Sequence, residues 1–266
     1  MSGYLTFFKS EILVQLQYRT SAIAGLVTQF FWGMIYVLVY TAFYNYNNID
    51  TINIQELMCY VWLNQAFIRI IYLSDKDPGI VDEIKTGTVA YELCKPYDLY
   101  SWWYLKLLAR RYAATALRFL PIIIFAFLLP KPYCLTLPAS PVYFLLFVLT
   151  LILGSLLIIT INMIVQTITF YTYSDKGISS IVYSIGALLG GFYIPLPLMP
   201  DFILKIANYL PFRYIGDLPF RLYSANINIE YGFQCILIQI AWIVGLFIIG
   251  KLLMKFTLKR VSIQGG

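Results

Sequence analysis

Residues 191–219 read GFYIPLPLMPDFILKIANYLPFRYIGDLP, a stretch that holds five of the twelve prolines of the chain. A proline lacks the backbone N–H and its ring crowds the preceding turn, so a continuous helix cannot run through this segment. The Ile, Leu, Phe and Tyr residues around the prolines make it too apolar for a solvated loop. In a bilayer, such broken backbone is tolerated only where protein or a cavity surrounds it. The segment is therefore typical of a re-entrant element, and it makes transport the first hypothesis.

The composition of the whole chain indicates an integral membrane protein. Of its 266 residues, 60% are hydrophobic and only 12% are charged, whereas a soluble domain carries about 25% charged residues. A chain of this length has room for roughly five to seven membrane helices of about 20 residues and for no separate soluble domain. We therefore predict one all-α transmembrane domain over residues 1–266.

Several kinds of chemistry are excluded by what the sequence lacks. It has no histidine, and its four cysteines are scattered without a CxxC pair, so we predict neither a metal site nor a disulfide framework. It also lacks a GxxxxGK[ST] loop, the common route to ATP hydrolysis. The net charge is +6, but the basic residues flank apolar stretches and do not form one patch, so we expect no nucleic acid partner. We predict no catalytic or cofactor-binding residue, and the chain is not expected to be an enzyme by itself.

Six apolar stretches are candidates for membrane spans. They comprise residues 21–44, 54–74, 112–129, 141–170, 177–198 and 231–249. An even number of spans places both termini on one side, and that side carries thirteen Lys and Arg residues against four on the other. The positive-inside rule then predicts cytosolic N- and C-termini. Residues 75–111 would form the longest cytosolic loop, and residues 199–230 would form an outer re-entrant region.

Two segments outside the spans have helical patterns of their own. Residues 1–20 place apolar side chains at helical spacing, which predicts an interfacial amphipathic helix, although a ragged start to the first span would look similar. In the cytosolic loop, Ile80, Val81 and Ile84 form the apolar face of a short helix that Gly87 can end in a left-handed conformation. Such a helix either docks a partner protein or lies against the inner surface of its own chain.

Six residues within the spans are candidates for a translocation path or a helix interface. They are Arg69, Arg118, Asn162, Gln166, Gly186 and Gly190. An arginine at the bilayer centre costs roughly 3 kcal/mol on insertion scales, so the two arginines either snorkel to the surface or face a protein-lined path. The two amides can hydrogen-bond across helices, and the two glycines permit close helix approach within the chain or between subunits.

Three segments together resemble the membrane subunits of type-2 ATP-binding-cassette (ABC) exporters, a group of six-span permeases. They are EIKTGTVAYELCKPYDLY at residues 83–100, IPLPLMPDFILKIANYLPFRYIGDLP at residues 194–219 and LKRVSIQGG at residues 258–266. The resemblance implies a multi-pass protein of the bacterial cytoplasmic membrane. It also implies that two permeases, alike or different, pair over two ATPase subunits, which bind the ATP and Mg²⁺. The tail is most similar to the branch that often uses two different permeases.

The resemblance assigns roles to two sets of residues. A coupling helix that receives the push of the ATPase subunits would comprise Ile80, Val81, Asp82, Glu83, Ile84, Lys85, Thr86 and Gly87. An outer gate or exit lip would include Pro195, Pro197, Pro200, Pro211, Phe212 and Pro219. Because the family moves drugs, peptides, lipids and glycans, an exporter of glycans or teichoic acids is one alternative. A membrane scaffold or immunity protein that transports nothing is another.

Overall fold

The computed structural model describes residues 2–17, 19–46, 51–74, 77–172, 174 and 176–260, and every regular element in these ranges is a helix. The prediction of an all-helical chain is therefore confirmed for this part of the protein. Of the tail segment that carries part of the resemblance, residues 261–266 lie outside the described residues, as do residues 75 and 76 of the predicted cytosolic loop.

The described ranges contain twelve α-helices and two short 3-10 turns. The α-helices are, in chain order, α1 (Ser2–Leu16), α2 (Arg19–Tyr46), α3 (Ile54–Ile71), α4 (Pro78–Thr86), α5 (Val89–Leu93), α6 (Leu99–Ala116), α7 (Phe119–Leu128), α8 (Pro141–Thr172), α9 (Lys176–Leu189), α10 (Asp201–Tyr209), α11 (Asp217–Tyr223) and α12 (Ile229–Arg260). The 3-10 turns are Leu196–Leu198 and Pro211–Tyr214.

Four helical stretches within the described residues are long and apolar enough to cross a membrane. They are Ile23–Tyr46, Leu99–Leu128, Pro141–Thr172 and Ile229–Lys259, and they coincide with four of the six predicted spans. The other two predicted spans, residues 54–74 and 177–198, contain α3 and α9, which have 18 and 14 residues. At 1.5 Å per residue these helices are about 27 and 21 Å long. The chain is a multi-span helical protein, and the count of six spans stays a prediction.

The third apolar stretch begins earlier than its sequence predicts and contains a break. Helix α6 starts at Leu99 because the side chain of Asp98 caps it, accepting a hydrogen bond from the Ser101 N–H at 3.0 Å. The helix is interrupted at Leu117, four residues before Pro121, and α7 follows. A proline offers no N–H to the carbonyl four residues earlier and its ring crowds that carbonyl, which accounts for the break.

The proline-rich segment is broken into short helical pieces, as its sequence predicts. Side chains of surrounding segments donate to several of its carbonyls, so protein groups satisfy part of its irregular backbone. The hydroxyl of Tyr60 donates to Gly191 at 3.0 Å, and that of Thr51 donates to Pro197 at 2.7 Å. From α12, the Nε2 atom of Gln239 donates to the carbonyl of Tyr214 at 2.8 Å. The segment is thus part of the packed body of the protein.

Helix α8 forms the centre of the described structure, where it packs against α12, α11 and α6. Its serine and threonine side chains stay satisfied in this apolar setting by bonding to carbonyls one turn earlier, as Thr150 does with Leu146 at 2.7 Å. The N-terminal helix α1 packs against α6, where Phe7 stacks on Trp102 with ring centroids 3.6 Å apart. The predicted place of α1 at the membrane surface stays a prediction.

Candidate functional site

A cavity of about 500 Å³ lies between α2, α3 and the C-terminal end of α9. Half of the residues that line it are aromatic: Trp32, Tyr36, Tyr72, Tyr183, Phe192 and Tyr193. Its polar groups are uncharged and come from Thr28, Gln29, Asn64 and Gln65. None of the described residues around the cavity carries a charge.

Helical spacing explains why these residues share one surface. Thr28, Trp32 and Tyr36 are spaced four residues apart, so they lie above one another on one face of α2. Asn64 and Ile68 have the same spacing on α3, and Tyr72, one residue past that helix, continues their line. Two faces that meet along such stripes enclose a cavity about two helical turns long.

The polar groups of the cavity differ in how well they are satisfied. The Asn64 Nδ2 atom donates to the Phe192 carbonyl at 3.0 Å, and the hydroxyls of Tyr183 and Tyr193 bond to each other at 2.6 Å. Gln29 is only 7% exposed, yet its Oε1 atom meets no hydrogen-bond donor among the described residues. An unsatisfied buried acceptor costs free energy, so it calls for a donor that the chain itself does not provide there.

Helix α4 lies beyond the C-terminal end of α3, and it ends where its sequence predicts. The Asp77 side chain caps it by accepting a hydrogen bond from the Gly79 N–H at 2.8 Å, and Pro78 occupies its first position. Gly87 follows its last residue with φ 76°, in the left-handed conformation. The prediction of a short helix ended by Gly87 is confirmed.

The apolar face of α4 is buried within the chain. Ile80 is 0% exposed, and Val81 and Ile84 are also buried. Of the eight residues predicted to couple to ATPase subunits, these three are therefore covered by the protein itself. Asp82, Lys85 and Thr86 are exposed on the opposite face, whereas Glu83 and Gly87 are half-buried.

Ion pairs join α4 to α6. The Oδ2 atom of Asp77 lies 3.4 Å from Lys106 Nζ and 3.7 Å from Arg110 Nη1. Lys106 also lies 4.0 Å from the Glu83 Oε1 atom. Burial raises the pKa of the Glu83 carboxyl, and the charge of Lys106 offsets this only in part. The carboxylates and cations share a partly buried junction, which fixes one end of α4 to α6.

Arg111, which follows Arg110 on α6, caps the C-terminal end of α3. Arg111 is 1% exposed, and its Nη1 atom donates to the carbonyls of Arg69, Ile70 and Tyr72 at 3.4, 3.0 and 2.9 Å. The last carbonyls of a helix have no partner within it, so a buried guanidinium is a strong cap for them. A single helix, α6, thus contacts both α4 and the end of a helix that lines the cavity.

The polar span residues singled out in the sequence do not line this cavity. The guanidinium of Arg118 lies against Gly25 of α2, where it would meet any side chain at that position. Arg69 contributes its carbonyl to the Arg111 cap, and Asn162 and Gln166 are buried in α8. Their predicted roles in a path or interface stay predictions.

The predicted glycines and outer prolines are not among the residues that line the cavity. Gly186 faces the side chains of Leu73 and Phe212, and Gly190 faces the ring of Phe192, so both allow close packing within this chain. The buried outer prolines are Pro195, Pro197, Pro211 and Pro219, whereas Pro200 is exposed. Their role in an outer gate stays a prediction.

Four residues of this site were missed by sequence reasoning. Gln29, Asn64 and Gln65 are amides within apolar spans, and the rarity of polar side chains at such positions was the signal that could have identified them. Arg111 was counted only as one of several loop cations. In the described ranges, no group of three or more His, Cys, Asp or Glu residues is placed to hold a metal ion.

Comparison with known protein families shows the family of this chain. The sequence profile described as ABC-2 family transporter protein matches residues 29–265. No curated protein and no solved structure matches the chain. The matched region contains α3, α4 and α6 and nearly all of the cavity wall. The chain therefore belongs to the ABC-2 family of transporter proteins, as a permease subunit whose family implies association with ABC ATPase subunits.

Proposed function

We propose that this chain is a permease of an ATP-driven ABC exporter, in which it forms a substrate path with a second permease and is driven by separate ATPase subunits. The observation that carries the proposal is the position of α6, which contacts both the exposed helix α4 and the end of α3. Family membership supports the link to an ATPase, and the lack of a phosphate-binding loop in this chain supports placing ATP and Mg²⁺ on that partner.

The path would run through the cavity between α2, α3 and α9. A binding site in a transporter must admit a ligand and release it, and an aromatic, uncharged wall suits weak and reversible contacts. Because the cavity is only partly enclosed by this chain, a second permease would complete it. The second permease, alike or different, comes from the family resemblance alone.

The motion of the ATPase subunits would reach this chain through the exposed residues of α4. The ATPase subunits would contact Asp82, Lys85 and Thr86, and the ion pairs of Asp77 would carry the motion of α4 to α6. Arg111 would then carry it to the end of α3. Proximity alone does not transmit such a motion, because coupling needs rigid connections that have discrete arrangements. Buried hydrogen bonds between charged groups are connections of this kind.

The proposed topology places α4 and both termini in the cytosol and the segment from residue 199 to residue 230 outside. The charge bias of the loops supports this orientation. In it, the outer prolines would form a gate on the far side of the cavity from α4. A non-transporting scaffold has no need of a ligand cavity joined to a docking helix, and an exporter does.

The test is purification of the tagged chain from its native membrane in mild detergent, with mass spectrometry of the proteins that accompany it and an ATPase assay. The proposal predicts a stoichiometric protein with a phosphate-binding loop and ATP hydrolysis by the complex. A second permease beside it would identify a heterodimer. Recovery of the chain without any ATPase, under conditions that keep a control ABC transporter intact, would overturn the proposal.

A further inference from the structure

We infer that the cavity between α2, α3 and α9 binds an uncharged, ring-bearing amphiphile that carries a hydroxyl group. The inference rests on the proposed function only in treating this ligand as cargo. All the side chains from which the ligand is inferred belong to this chain, so their contribution to binding can be tested without the partner subunits.

The lack of charge in the cavity wall decides the charge of the ligand. None of the described lining residues is an acid or a base, so a charged ligand would leave water without meeting an opposite charge. Removing an ion from water costs several times more free energy than a cation gains from contact with one aromatic face. An anion gains no free energy from such a face. A neutral ligand avoids this cost.

The aromatic side chains determine the shape of the ligand. Tyr72 and Tyr183 meet edge to face with centroids 5.2 Å apart, and Trp32 and Tyr36 lie tilted at 6.0 Å. These pairs fix the rings at the edge of the cavity, and fixed rings offer flat apolar surfaces to another ring at little entropic cost. A ring-shaped apolar group fits such walls better than a flexible chain does.

The side chain of Gln29 determines the polar group of the ligand. It is more than nine-tenths buried, it lines the cavity, and its Oε1 atom has no donor among the described residues. A hydroxyl both donates and accepts, so it pairs with an amide in either orientation of that amide. An ammonium only donates and a carboxylate only accepts, which makes a hydroxyl the better match.

The experiment compares three compounds that share a para-hexylphenyl body and differ in their polar group, which is neutral, cationic or anionic. We would measure equilibrium binding of radiolabelled para-hexylbenzyl alcohol, para-hexylbenzylamine and para-hexylbenzoate to the full chain in lipid nanodiscs at neutral pH, with empty nanodiscs subtracted. The alcohol is expected to bind at least about tenfold more tightly than the ammonium and the carboxylate. Gln29→Leu is expected to weaken binding of the alcohol about three- to tenfold.

Thr41→Val is the matched control for Gln29→Leu, because it removes a polar group from the same helix outside the cavity. It should leave binding of the alcohol unchanged. Equal binding of the three compounds, or an affinity for the alcohol that Gln29→Leu does not change, would overturn the inference. Co-purification of an ATPase is a separate readout, so the proposed function can stand if the cavity inference fails, and the reverse also holds.

Discussion

The cavity between α2, α3 and α9 and the junction between α4 and α6 both contain buried polar side chains, but they differ in charge. In the junction, Asp77 meets Lys106 and Arg110, and Arg111 caps the end of α3. The described wall of the cavity contains amides, hydroxyls and aromatic rings instead. Paired buried charges are costly to separate, so they suit a fixed connection. Neutral groups lose less when a ligand leaves, so they suit a site that empties and refills.

The largest expected effect comes from removing the cap on α3. Arg111→Met leaves the carbonyls of Arg69, Ile70 and Tyr72 without this donor, and we expect the free energy of unfolding to fall by about 3 kcal/mol. Arg111→Lys should lose about half as much, because one ammonium cannot reproduce the planar fork. Unfolding by SDS titration in mixed micelles measures both. Lys255→Met, at an exposed position of α12, is the control, and an equal loss there would contradict the special role of Arg111.

Placing a charge in the cavity tests the other half of the comparison. Gln65 is 3% exposed and lines the cavity, so Gln65→Glu introduces a buried carboxyl with no basic residue in the described wall. We expect a loss of about 2 kcal/mol in the same titration, because the acid must either lose its solvation or take up a proton. Gln17→Glu, at an exposed position in the turn after α1, should change stability by less than about 0.5 kcal/mol. Equal stability of the two variants would show that the cavity tolerates charge.

Breaking one ion pair of the junction should have a smaller effect. Asp77→Asn keeps a side-chain oxygen to cap α4 but removes the charge that meets Lys106 and Arg110, with an expected loss of about 1.5 kcal/mol. Asp98→Asn is the matched control, because Asp98 meets Lys251 at 3.4 Å where both side chains are well exposed, and such pairs contribute about 0.5 kcal/mol. Losses of equal size would contradict the view that the Asp77 pairs form a fixed connection.

The smallest expected effect is at the end of α4. Gly87 has φ 76°, and Gly87→Ala should lower the free energy of unfolding by about 1 kcal/mol, because a Cβ disfavours the left-handed conformation. Gly245→Ala lies within α12 with open space around it, so no loss is expected there. Thermal unfolding of the two variants beside the unaltered chain decides this. A stable Gly87→Ala variant would mean that α4 ends without needing that conformation.

Local sequence patterns predicted the local structure well. Helix α4 follows from its apolar face and from Gly87, which permits the left-handed conformation that ends a helix. The broken outer segment follows from its prolines, which restrict the backbone directly. The break at Leu117 likewise follows from Pro121, which cannot continue the preceding helix. We do not predict it from the sequence, because we treat this whole apolar stretch as one span. The predicted start of that stretch near residue 112 ignored the Asp98 cap, which the sequence also contains.

The cavity and the Arg111 cap could not be predicted from local patterns. Gln29 and Asn64 are 35 positions apart in the sequence, and only the packing of α2 on α3 brings them to one surface. Likewise, nothing near Arg111 indicates that its guanidinium reaches the carbonyls of α3 rather than the headgroups of lipids. Contacts between distant segments depend on tertiary packing, whereas the pattern of a single sequence indicates only the structure of each segment by itself.

The central claim is that α4 is the contact through which an ATPase drives this permease, and site-directed photo-crosslinking tests it most directly. Lys85, exposed on α4, would be replaced by p-benzoylphenylalanine, and the control replacement would be made at Tyr209, which is 81% exposed at the end of α10. Irradiation of the native membrane should join position 85, but not position 209, to a protein with a phosphate-binding loop. An adduct to the ATPase at position 209, or none at position 85 in a complex that hydrolyses ATP, would contradict the account.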